Sequence, residues 1–151
     1  MSDQAASGID ELLAEINAEK REFSQPISPP ASQDAIARLR RLARDKLQAD
    51  LPEEYVTFLG RNDGLDFNGY VVYGATEHQE PFLSGFVEAN ERLGGSQASH
   101  VFYGDTGDRL FAQDRTSQAW VTLDRSSLDV VASFPSFDAM LADVLRSAVA
   151  E

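Results

Sequence analysis

The chain has 151 residues, 42% of them hydrophobic, with 25 acidic residues against 13 basic ones, a net charge of −12 and no cysteine. That length suits one domain that buries roughly 70% of its unfolded surface, and the lack of cysteine excludes disulfides, thiolate chemistry and cysteine-ligated metal. The charge is uneven, because residues 62–151 hold 14 acids, 5 bases and no lysine; such a field repels nucleic acid and anionic membrane and attracts basic partners, although solubility alone accounts for it equally well.

Residues 1–7 show neither the basic region nor the apolar core of a signal peptide. No apolar run is long enough to cross a bilayer, so the expected location is the cytoplasm. Residues 9–22 are predicted as an amphipathic helix with Ile9, Leu12, Leu13 and Ile16 as its apolar stripe and acids between them. The three prolines at 26, 29 and 30 stop that helix, each lacking a donor and disfavouring helix before it. The chain therefore divides into an N-terminal helix and proline-rich arm, residues 1–31, and a domain over residues 32–151. The first helix serves as a docked arm or as a separate binding element.

Ser32 is a predicted N-cap, with Asp34 in the first turn of a helix running to about residue 48. Ile36, Leu39, Ala43 and Leu47 form its apolar face. Arg38, Arg40, Arg41, Arg44 and Lys46 cover much of the rest, and a solvated face pairing with Asp45, Asp50 and Glu53 explains them better than nucleic acid. Pro52 is predicted at the first position of the next helix, with Glu53 and Glu54 in its first turn. Leu51, Tyr55, Phe58 and Leu59 share one face. Asn62-Asp63-Gly64 is read as its stop, Gly64 taking the left-handed conformation.

Asn68-Gly69 between Leu65-Asp66-Phe67 and Tyr70-Val71-Val72-Tyr73 predicts a hairpin with a type I′ turn. Residues 76–81 are read as a polar loop, and residues 84–93 as a short helix ended by Gly94-Gly95. The apolar period then becomes two. Strands are predicted at 101–103, 110–112, 119–123 and 128–134, joined by tight polar turns. Pro135-Ser136 caps a last helix with Phe137, Met140, Leu141, Val144 and Leu145 inward. The fold class is α+β: N-terminal helices, a twisted, mainly antiparallel sheet and a closing C-terminal helix.

The run Leu51-Pro52-Glu53-Glu54-Tyr55-Val56-Thr57-Phe58-Leu59 with Asn62-Asp63-Gly64, and the helix start Ser136-Phe137-Asp138-Ala139-Met140-Leu141, resemble the SUKH superfamily of Smi/Knr-like domains. Asn62-Asp63-Gly64-Leu65 followed by Asn68-Gly69 is most similar to its YrhA-type branch. The resemblance spans residues 32–149 and rests on short, mostly structural motifs. It implies a bacterial immunity protein that binds and neutralises a cognate toxin. The alternative is a general protein-interaction or regulatory module of the same fold, not linked to a toxin.

Catalytic signatures are missing from the sequence. Gly64 to Gly69 has phosphate-loop spacing, but Tyr70 stands where the lysine belongs. Gly104 and Gly107 lack the third glycine of a dinucleotide site. His78 and His100 have no metal-ligand spacing and read as surface or edge residues. Asp105 and Asp108 flank one turn, where aspartate bonds its own backbone. No nucleophile, base and orienting group coincide, so a non-enzymatic protein without metal or cofactor is expected. The expected partner is a basic toxin domain, with no role for nucleic acid or membrane. Candidate partner-binding residues are the acids Asp63, Asp66, Glu77, Glu80, Asp105 and Asp108, placed in surface turns, with Tyr70 and Tyr103 as aromatic anchors. Period two puts Phe102 and Tyr103 on opposite faces of their strand, so that one of the pair can be exposed.

Overall fold

The computed structural model describes residues 2–79 and 82–150, and the side chains from residue 8 onward. Helix α1 (Ser2–Glu22) is followed by the proline arm, α2 (Gln33–Leu47) and α3 (Glu53–Leu59). Strands β1 (Leu65–Phe67) and β2 (Tyr70–Val72) form the Asn-Gly hairpin, and both Asn68 (φ 52°) and Gly69 (φ 83°) take the positive φ of a type I′ turn. A second, two-stranded hairpin, β3 (His78–Gln79) and β4 (Phe82–Leu83), stands where a polar loop is expected. Helix α4 (Phe86–Arg92) leads through a 3₁₀ turn to β5 (His100–Asp105), β6 (Arg109–Asp114), β7 (Trp120–Asp124), β8 (Val130–Phe134) and α5 (Phe137–Ala150).

The main sheet has six strands in the order β1-β2-β5-β6-β7-β8, every neighbouring pair antiparallel. Two of its turns use the same device. Asp114 Oδ1 accepts the amides of Thr116 and Ser117, and Asp124 Oδ1 accepts those of Ser126 and Ser127. Each aspartate thereby satisfies the backbone of its own turn. The same amides hold both carboxyls below their ordinary range, Asp124 at about 2.

The helix signals hold at both ends of the domain. Ser32 Oγ accepts the amide of Ala35, and Ser136 Oγ that of Ala139. Arg40 pairs with Glu53 and Arg44 with Asp50, and all five bases of α2 are on its solvent face. At α3 two details differ. Pro52 is the N-cap, its carbonyl accepting the amides of Tyr55 and Val56. The helix closes at Gly60 in right-handed geometry, with the Arg61 and Asn62 amides on the Phe58 carbonyl. Gly64 does take positive φ (83°), but beyond the helix end, and a Cβ there would lie 2.7 Å from Leu83 Cδ2 and 2.9 Å from the Gly74 amide nitrogen.

The core is centred on aromatic rings from five elements. Tyr55 of α3 lies 5.1 Å from Tyr103 of β5 and 5.5 Å from both Phe86 of α4 and Phe137 of α5, and Tyr103 lies 5.2 Å from Trp120 of β7. The Tyr55 hydroxyl is satisfied inside this cluster by donating to the Tyr73 carbonyl at 2.6 Å. Tyr55, Phe58 and Leu141 are buried, as the sequence predicts, and so is Trp120. Helix α5 buries most of its circumference because it touches α1 as well as β2, β7 and β8. Helix α1 is docked, with Ile9, Leu13 and Ile16 in the common core and Arg61 bound to Asp10 at 2.6 Å.

Asn90 of α4 completes the sheet. Strand β2 pairs with β5 only at its far end, Gly104 and Asp105, with one further bond from the Tyr73 amide to the Tyr103 carbonyl. At Phe102 the Asn90 amide takes the place of a strand. Its Nδ2 donates to the Phe102 carbonyl and its Oδ1 accepts the Phe102 amide, both at 2.8 Å. A third bond runs from Nδ2 to the Phe86 carbonyl at 2.9 Å. A buried backbone edge is thus fully satisfied by one side chain.

Candidate functional site

The chain folds so that one end of the sheet meets the β3–β4 hairpin and α4. A cleft of about 560 Å³ opens there, lined by Asp66 of β1, Tyr73, Asp105 of β5, Arg92 of α4 and Arg125 of the β7–β8 turn, among others. The β5–β6 turn reaches the same rim, because Arg125 donates from Nη1 to the Thr106 carbonyl and from its backbone amide to the Asp108 carbonyl. Asp66, Asp105 and Asp108 are therefore brought to one end of the molecule, and Glu77 joins them through Arg92 at 3.2 Å.

Most of these carboxylates are engaged. Asp105 accepts the Tyr73 hydroxyl at 2.6 Å and lies 3.8 Å from Arg125. Burial, and next the Asp105 charge, hold the Tyr73 phenol protonated well above its ordinary value. Glu77 is held by Arg92, and exposed Asp108 lies 3.7 Å from Arg109. Asp66 is exposed and makes no ion pair among the described residues. The cleft is a mixed-charge surface in which arginines answer most of the acids.

Two candidates are not on the surface at all. Asp63 is 6% exposed, not a surface turn residue. Its Oδ1 accepts the Ala75 amide at 2.6 Å and its Oδ2 lies 3.2 Å from His78 Nε2. The carboxylate is drawn inward because it satisfies a buried backbone donor. Tyr103 is 2% exposed, and its strand partner Phe102 is buried too. A β-bulge between Phe102 and Gly104 breaks the two-residue alternation, and Asn90 of α4 covers that stretch of β5. Tyr70 is half-buried against the core. Glu80 lies outside the described residues. His100 is also buried, 2.8 Å from the Ser99 hydroxyl, and so is no surface histidine.

A further run of carboxylates with no basic partner lies on α1. Glu11, Glu15 and Glu19 recur at every fourth residue, and Glu22 follows at the helix end. All four are exposed, and none forms an ion pair among the described residues. They point away from the face formed by Ile9, Leu13, Ile16 and Lys20, which is buried. The signal was present in the four-residue spacing of the glutamates; without knowing that α1 docks by the opposite face, it reads as a merely solvated arm.

Among the described residues no helix is long and apolar enough to cross a membrane, and no group of three or more His, Cys, Asp or Glu side chains is placed to hold a metal. No protein-family model matches the chain, and no curated protein sequence is significantly similar to it.

Proposed function

We propose that the chain is a non-enzymatic immunity protein that binds a cognate basic toxin domain in the cytoplasm and neutralises it stoichiometrically. The observation that carries this reading is its uncompensated negative charge: −12 overall, with the α1 glutamates unpaired among the described residues. A field of that sign speeds encounter with a basic partner and disfavours acidic ones. The likeness of residues 51–64 and 136–141 to Smi/Knr-like domains supplies the toxin as the partner class. Asp66 and Asp108 at the cleft and Glu11, Glu15, Glu19 and Glu22 on α1 are among the acids exposed enough to meet such a partner.

Co-expression with a toxin encoded beside its gene tests the proposal. Restored growth together with a co-purifying complex is expected. Unrelieved toxicity with no complex would reject it.

A further inference from the structure

A second cavity, of about 480 Å³, lies between the proline arm and the β1–β2 and β3–β4 hairpins. Its walls are largely apolar, from Pro26, Ile27, Phe67, Phe82 and Leu83, and Lys20 of α1 reaches into its lining. That volume is that of a small-molecule site, with an apolar side and a polar side that includes Lys20, Gln25, Ser28 and Asp66.

Lys20 is the anomaly. It is only 6% exposed, yet its ammonium makes a single long hydrogen bond, to the Pro26 carbonyl at 3.3 Å. No carboxylate stands within ion-pair distance of it among the described residues. An ammonium has three donors, and burying it without a counter-ion is unfavourable. Desolvation lowers its pKa, with the more distant Asp66 opposing. Of the other polar linings, Asn68 Nδ2 donates to the Ala148 carbonyl and His78 Nε2 faces Asp63, while Gln25, Ser28 and Asp66 complete the polar side of the cavity.

We propose that this cavity binds a small amphipathic monocarboxylic acid, its carboxylate on Lys20 Nζ and its apolar body against Ile27, Phe67, Phe82 and Leu83. One cation with Asp66 in the same lining suits a single negative charge and opposes a phosphate dianion. The apolar walls exclude a bare inorganic anion from gaining much there.

Octanoate is the probe, titrated calorimetrically into the full chain alongside 1-octanol, with amide chemical shifts followed by NMR. Octanoate should bind at least tenfold tighter than octanol, with shifts gathered at residues 25, 27–28, 67–68 and 82–83. Lys20→Met, which keeps the apolar stem, should weaken octanoate at least tenfold and leave octanol unchanged. Ile27→Trp should block both by filling the cavity. Octanoate binding no tighter than octanol, undetectable at millimolar concentration, unaffected by Lys20→Met, or mapped to other residues would overturn the proposal. If either variant fails to fold, the octanoate-to-octanol ratio and the shift map of the unaltered chain decide it.

Discussion

Replacing Asn90 with alanine should show how much of the sheet depends on one side chain. The substitution removes three hydrogen bonds, at 2.8, 2.8 and 2.9 Å, from a residue 2% exposed. The Phe86 carbonyl is inside α4 and keeps its helical partner. The Phe102 amide and carbonyl lose theirs, because β2 does not extend that far along β5. Each buried group left unpaired costs about 1–3 kcal/mol, so the loss should fall near 2–6 kcal/mol, toward the lower half if water enters the gap. Asn90→Asp is the sharper variant: it can still accept the Phe102 amide, but it sets a carboxylate oxygen against the Phe102 carbonyl. It should be at least as damaging at pH 7 and should recover in acid, where a protonated carboxyl can donate. Urea unfolding followed by the fluorescence of the single tryptophan, Trp120, which packs on Phe137, reads both. Two variants within about 1 kcal/mol of the parent at pH 7 would refute the idea that Asn90 stands in for a strand.

Phe58→Ala should cost about 3–5 kcal/mol, since the ring is 1% exposed in the core face of α3; a loss below about 1 kcal/mol in the same urea assay would show that this face carries little packing. Asp138 gives a pH prediction. Burial first, and the neighbouring Glu54 charge second, push its carboxyl up to about 6, above the ordinary range. The folded chain then holds that proton more tightly than the unfolded chain. Its contribution to stability therefore grows as pH falls from about 6 toward 4 and is lost as pH rises back through that window. Asp138→Asn should flatten that segment of a thermal-unfolding pH series and be more stable at pH 7 by up to about 1 kcal/mol, solvent screening reducing the rest. An unchanged slope between pH 4 and 6 would contradict the assignment.

What the sequence made legible were features with a local cause. Asn68-Gly69 fixes its turn because both positions need positive φ. Ser32 and Ser136 fix helix starts because their hydroxyls serve orphan amides, and the spacing of Phe137, Met140, Leu141, Val144 and Leu145 marks a core face. What escaped had a non-local cause. The β3–β4 hairpin is two residues per strand, too short to show a period. Asp63 looks like a turn residue until the Ala75 amide, twelve residues away, claims its carboxylate. Tyr103 is buried because a bulge interrupts the alternation that its sequence suggests. The acids of the cleft read as a free negative surface because Arg92 and Arg125 are brought to Glu77 and Asp105 by tertiary contacts. The α1 glutamates read as a solvated arm because only the docked helix shows which face is outward.

Capture of a basic partner by an acidic surface is tested most directly by association kinetics against any toxin found encoded beside the gene. A folded variant carrying Glu11→Gln, Glu15→Gln, Glu19→Gln, Asp66→Asn and Asp108→Asn should associate at least tenfold more slowly than the parent at low salt, and the gap should close as salt screens the field. Equal association rates at low salt, or no complex with either form, would contradict the account.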